Sequence, residues 1–145
     1  ALGNRSIISL ANKRQFHADI NIIKGRELWR PLAPAVLSED FEKYFNGYKN
    51  SYMLMTNQVT SKSIPAVTHS DNSARVQCVD PEQENFHNIL TAIKNNSQEC
   101  PPVIVNTSLN GPGQPIIDDL LTVLELFNKT KASFIVSDNF VVSKN

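Results

Sequence analysis

The sequence is poor in the residues that mark a specialised class of protein. Two cysteines, Cys78 and Cys100, are too few to staple 145 residues. A disulfide scaffold is therefore not expected, and free thiols in a reducing, cytoplasmic setting are. No apolar run approaches the ~18 residues of a membrane span, and no basic-then-apolar leader opens the chain. Without such a leader the sequons at Asn4, Asn95, Asn106 and Asn128 read as chance matches. Charge of either sign is missing in excess. Fourteen Lys+Arg balance fourteen Asp+Glu, which argues against a protein that coats nucleic acid. What is present is ordinary globular material: 41% hydrophobic and 19% charged residues, enough for one domain with a real core.

The neutral balance hides an asymmetry. Residues 1–30 carry a net charge of +4 and the remaining 115 carry −4. Four of the five arginines (Arg5, Arg14, Arg26 and Arg30) fall in that first segment. A local cationic site for a compact anion is the reading this suggests. The abrupt opening Ala1-Leu2-Gly3-Asn4-Arg5 further suggests a piece of a longer protein.

Periodicity outlines the elements. Phe16, Ile20 and Ile23 share one face of a helix over 15–23. Residues 29–37 read as extended chain, with Pro31 and Pro34 arguing against a central strand. Ser38 is placed to cap a helix through Phe45. Strands are expected at 52–59, 64–68 and 73–79, the last alternating Ala74, Val76 and Cys78 against Arg75 and Gln77. Asp80-Pro81-Glu82-Gln83 has the form of a capping box, followed by the apolar stripe Phe86, Ile89, Leu90, Ile93. Residues 102–105 form a short apolar strand and 118–128 a second apolar helix. Two final strands, 133–136 and 139–142, are expected to join tightly through Ser137-Asp138. Strands interleaved with helices indicate a single α/β (α+β) domain.

Three clusters could carry chemistry. In extended chain Lys24 and Arg26 would converge on one ligand, with Arg30 further along. A mobile ammonium and a planar guanidinium suit phosphate oxygens, though a solvated basic face explains the same pattern. Asn106–Gly113 follows an apolar strand, where sheet domains place ligand loops. Its Ser108 and Asn110 again sit two apart, and an ordinary polar turn is the alternative. Arg75, alone in its half of the chain, needs either an acidic partner or a bound anion. His69 and Asp71 do not make a metal site by themselves, and no metal ligand set is assigned.

Together the segments resemble a family. Ala1-Leu2-Gly3-Asn4-Arg5-Ser6-Ile7 looks like the continuation of the Gly-Pro-Arg-Ala-Leu-Gly-Asn-Arg-Ser-Ile signature of the O-carbamoyltransferases of the nodulation and antibiotic-tailoring type. Lys24-x-Arg26-Glu27-x-Trp29-Arg30-Pro31-x-Ala33-Pro34, Pro65-Ala66-Val67-Thr68-His69-x-Asp71-x-Ser73-Ala74-Arg75 and Asn106-Thr107-Ser108-x-Asn110-x-x-Gly113 follow in order. The likeness is to the C-terminal domain of that family, across residues 1–145. It implies a YrdC-like twisted mixed sheet flanked by helices. It also implies an N-terminal, actin-like-ATPase-type domain, not contained here, that holds iron and the acceptor. The activity implied is conversion of carbamoyl phosphate and ATP, with Mg²⁺, into carbamoyl adenylate for a small-molecule hydroxyl.

In that family reading Lys24, Arg26 and Arg75 are catalytic, and Ser108, Asn110, Arg30, Arg5, Asn106 and His69 bind substrate. Gly111-Pro112-Gly113-Gln114 departs from a family pattern that often has a basic residue and Glu there, removing a possible phosphate contact. Cys78 stands in place of a usual Thr. The alternatives are a nucleotide- or RNA-binding module without turnover and an inert structural domain. Few candidate exposed aromatics and the zero net charge weaken the RNA version.

Overall fold

In the computed structural model, which describes residues 2–137 and 140–144, the apolar strand read at 102–105 becomes the organising element. It extends as β7 (Val103–Ser108) and lies between β1 (Ser6–Leu10) and β2 (Ala33–Leu37) in a four-stranded sheet of order β1-β7-β2-β6, where β6 is Gln77–Val79. β7 runs antiparallel to both neighbours, whereas β2 and β6 are parallel, so the sheet is mixed. Side chains alternate between its two faces. Val36, Cys78, Val103 and Val105 pack on one side with Ile20 of helix α1 (Arg14–Ile23), Phe41 and Phe45. Ala35, Leu37, Val79 and Ile104 pack on the other with Phe86 and Leu90 of α3 (Glu84–Asn96). Both faces being covered explains the continuous apolar runs in β2 and β7.

β2 is thus an interior strand, against the expectation from its prolines. The β6 ladder starts only at Ala35, so Pro34 sits opposite Val105 ahead of it, where a missing N–H leaves that ladder intact. The segment 73–79 is not one strand. β5 (Ser73–Ala74) joins β3 (Phe45–Asn46) and β4 (Asn57–Val59) in a small second sheet, and β6 crosses to the main one. Ala74, Val76 and Cys78 pack into one core cluster, so their shared face survives a change of sheet, although Gln77 on the other face is buried as well.

Of the strand expected at 52–59 only β4 forms, with Met53 at φ 56 upstream of it. Residues 64–68 bury Ile64, Ala66 and Val67 in turns. The helix expected from Ser38 is a 3-10 turn, Ser38–Asp40, and one α turn, α2 (Phe41–Tyr44), with no side-chain cap at Ser38. Asp80 does not cap α3, which begins four residues later. The reciprocal half of the box still forms, since Asp80 N–H donates to Gln83 Oε1 at 2.8 Å. α4 (Leu120–Lys129) is capped by Asp119, whose carboxylate accepts from Thr122 N–H at 2.8 Å.

β8 (Phe134–Ser137) and β9 (Phe140–Ser143) form a hairpin that pairs with no other strand among the described residues. The expected link through Asp138, and the expected strand start at Asn139, lie outside the described residues. The domain is α/β as expected, with both cysteines free. No helix among the described residues is long and apolar enough to cross a membrane.

Candidate functional site

Strand direction gathers the singled-out residues at one edge of the main sheet. β1, β2 and β6 begin there and β7 ends there. Arg5 precedes β1, Arg30 precedes β2, Arg75 precedes β6, and Ser108 closes β7. Within this edge a cleft of about 540 Å³ is lined by Lys24, Arg26, Glu27, Arg30, Ser108, Asn110 and the turn 111–113.

Helix α1 delivers the two leading cations. Gly25 takes φ +57, its N–H donates to Ile22 O at 2.9 Å, and Arg26 N–H donates to Asn21 O at 3.0 Å. This pair of bonds is a Schellman ending. Lys24 and Arg26 therefore flank a left-handed glycine instead of sharing one side of extended chain, which corrects the geometry expected for them. Glycine is required twice over here. A Cβ on Gly25 would stand 2.4 Å from Pro112 Cγ, across the cleft wall. Lys24 caps the helix C-terminus, the end that favours a cation.

Lys24 is 6% exposed, and its ammonium reaches across to the end of β7. It donates to Ser108 O at 2.5 Å, to Ser108 Oγ at 3.1 Å and to Asn110 Oδ1, while Ser108 Oγ donates to the same Oδ1 at 2.7 Å. Its acceptors are neutral, so its charge is oriented without being cancelled. Burial, joined by the Arg26 charge, lowers its pKa to about 8. Asn110 is held in turn, its Nδ2 donating to Gln114 O at 2.6 Å.

Arg26 donates through Nε to Asn21 Oδ1 at 2.7 Å, and burial with the nearby Arg30 charge lowers its pKa. Arg30 pairs with Glu27 at 2.7 Å, both half-exposed. Three cations thus face one carboxylate, and that carboxylate is already engaged.

Two residues that the sequence reading passed over build this arrangement. Asn21 is fully buried and spans the loop, holding Arg26 by its Oδ1 and donating through Nδ2 to Arg30 O at 3.0 Å. His17 Nε2 meets the same Arg30 carbonyl at 2.8 Å, and burial lowers its pKa. His17, Asn21 and Lys24 stand at i, i+4 and i+7, a polar stripe on a helix read for its apolar one.

The remaining expected residues lie apart from the cleft. Arg5 is exposed, and it is its carbonyl that serves the site, accepting from Leu109 N–H at 3.0 Å. Asn106 is buried in the sheet, donating to Gln77 Oε1 at 2.6 Å. Arg75 is exposed, across β2 from the cleft, with no side-chain ion pair among the described residues. His69 lines a second cleft with Arg14 and Lys62. Burial lowers its pKa against the pull of Asp71, with Arg75 adding to the lowering. No group of three metal-ligating side chains occurs among the described residues. The carboxylate beside the cleft, Glu27, is tied to Arg30, so the residues present do not make a Mg²⁺ site of their own.

Comparison with known proteins places the chain. The family model described as carbamoyltransferase C-terminus matches residues 1–144. An uncharacterized protein of Synechocystis is 33% identical, over 99% of this chain and 27% of its own length. Nodulation protein NolO of Bradyrhizobium diazoefficiens is 29% identical over 99% of this chain and 28% of its own. The 3'-hydroxymethylcephem-O-carbamoyltransferase of Amycolatopsis lactamdurans is 39% identical over 81% and 23% respectively. The chain spans about a quarter of the length of these relatives. It belongs to the carbamoyltransferase C-terminus family.

Proposed function

We propose that this chain, as the C-terminal domain of a carbamoyltransferase, binds carbamoyl phosphate and ATP along the strand-end edge and forms carbamoyl adenylate there. The remainder of the longer protein would deliver the carbamoyl group to a small-molecule hydroxyl. The observation that carries the reading is the cleft itself: Lys24, Arg26 and Arg30 against one engaged carboxylate, with Ser108 and Asn110 as neutral polar partners.

The stoichiometry defines the task. Water releases phosphate from carbamoyl phosphate to leave carbamate. A carbamate oxygen then bonds to the α-phosphorus of ATP as the bond to pyrophosphate breaks. Two polyanions must approach each other, and negative charge grows on the departing pyrophosphate. Fixed cations in a partly desolvated cleft offset that charge without reorganising during the reaction. Lys24 and Arg26 supply it at the floor. Ser108 and Asn110 orient the carbamoyl or carbamate group through hydrogen bonds. Arg75 lies further along the same edge, where it would meet the end of a substrate too long for the cleft. Mg²⁺, when it accompanies the nucleotide, supplies charge neutralisation on the phosphates. Arg30 is assigned to the phosphates as well.

Lys24→Ala is expected to cost ~2–4 kcal/mol of transition-state stabilisation, as loss of one preorganised electrostatic donor does. The measurement is carbamoyl-phosphate-dependent release of pyrophosphate from ATP. Unchanged release by this variant would remove the cleft from the mechanism.

A further inference from the structure

Trp29 is the chain's single tryptophan and, at 74%, one of its most exposed large apolar side chains among the described residues. It stands between Glu27 and Arg30, both of which line the cleft. The Arg30 guanidinium lies 5.9 Å from the centre of the indole. An indole left in water at the rim of a polar, cationic cleft is unusual, because a large aromatic gains by covering its faces. Among the described residues the recorded ring contact to this indole is that of Arg30.

We infer that Trp29 is the platform on which the adenine base of the nucleotide stacks, with Arg30 joining base and phosphate subsites. The inference rests on the proposed use of ATP and adds where its base lies. An indole offers adenine an extended π-face, and base–aromatic stacking contributes substantially to nucleotide affinity without reading the base edge. The location is suited to this. Arg30 lines the cleft and sets its guanidinium 5.9 Å from the indole centre, so phosphates drawn to Lys24 and Arg26 bring the base towards the rim. The Arg30 backbone is also fixed, its carbonyl bonded by both His17 and Asn21. Trp29 is therefore the direct chain neighbour of a residue whose carbonyl is held by two buried side chains. The cleft lining contains no aromatic residue, so the stacking partner has to come from the rim.

The test uses the uniqueness of the tryptophan. ATP and AMP are added to the protein while indole fluorescence is excited clear of tyrosine, with inorganic tripolyphosphate as the base-free control. ATP and AMP should quench the emission saturably, and tripolyphosphate should bind without quenching. Trp29→Ala should weaken ATP affinity roughly tenfold to a hundredfold, the range that one stacked base supplies. Trp29→Phe should recover part of it, and tripolyphosphate affinity should be the same in all three proteins. Quenching by tripolyphosphate equal to that by ATP, or ATP affinity unchanged in Trp29→Ala, would overturn the inference. If ATP drives pyrophosphate release while Trp29 stays silent, the platform alone fails. If neither ATP nor carbamoyl phosphate binds, the functional reading fails with it.

Discussion

At Lys24 three acceptors surround one ammonium, two from Ser108 at the end of β7 and one from Asn110 just after it. The side chain is nearly out of water and has Arg26 beside it, which is why its pKa falls to about 8. Two pH dependences of opposite direction follow. Affinity for ATP should decline as pH rises through about 8, because the floor of the cleft loses its charge there. Stability should move the other way. Between the folded pKa and the ordinary lysine value the unfolded chain binds more protons, so this residue makes stability increase with pH. ATP titrations and thermal unfolding across that range check the two signs together. Lys24→Arg, which stays charged, should flatten both. Single residues also mark what sequence reading reached. The side chains of Lys24, Arg26, Arg30, Ser108 and Asn110 line one cleft; spacing marks Lys24 with Arg26 and Ser108 with Asn110, and the family resemblance alone joins the two pairs. Asn21 and His17 escaped because their work is done through the backbone carbonyl of Arg30, which no motif records.

Among the elements, α1 and its ending carry most consequence for the site. The Schellman turn at Gly25 sets the directions of both cations, and Pro112 packs against the bare Cα. Gly25→Ala should destabilise the protein by roughly 1–2 kcal/mol for the left-handed backbone alone. The new methyl should also push the 111–113 turn outward and weaken ATP binding. Denaturant unfolding would show a lower midpoint with unchanged slope, alongside the affinity loss. The three longer helices are the legible elements, while the helix expected from Ser38 shrinks to two single turns. Ile20, Phe86 and Leu90 bury where their period places them, with Phe16 and Ile93 packed alongside, whereas Ile89 of the same stripe stays 36% exposed. Strands were less so, for identifiable reasons. Pro34 is tolerated inside the sheet because one neighbouring ladder starts a residue later. Ala74, Val76 and Cys78 keep an unbroken alternation while the backbone changes sheets, and period alone does not reveal such a crossing.

On the scale of the molecule, apolar side chains are unevenly spent. The main sheet is covered on both faces, yet the terminal hairpin leaves Phe134 65% and Phe140 73% exposed. By cross-strand register these two lie on opposite faces of the hairpin, since Phe134 pairs with Ser143 and Phe140 with Ser137. Phe134→Ser and Phe140→Ser should each change stability by no more than ~0.5 kcal/mol, as surface changes usually do. Phe41→Ala, at a side chain 1% exposed, should cost ~3–5 kcal/mol. Calorimetric unfolding of the three variants measures the contrast.

The bond from Lys24 to Ser108 joins residues 84 positions apart. A growing chain therefore holds its cations long before it holds the partners that orient them. The cleft comes into being late, once β7 has been inserted between strands made earlier. Whatever it binds then acts on the finished topology, and occupancy raises the stability of the whole fold by mass action. Ligand would serve as a final clasp, tightening hydrogen-exchange protection in β1, β2 and β7 together.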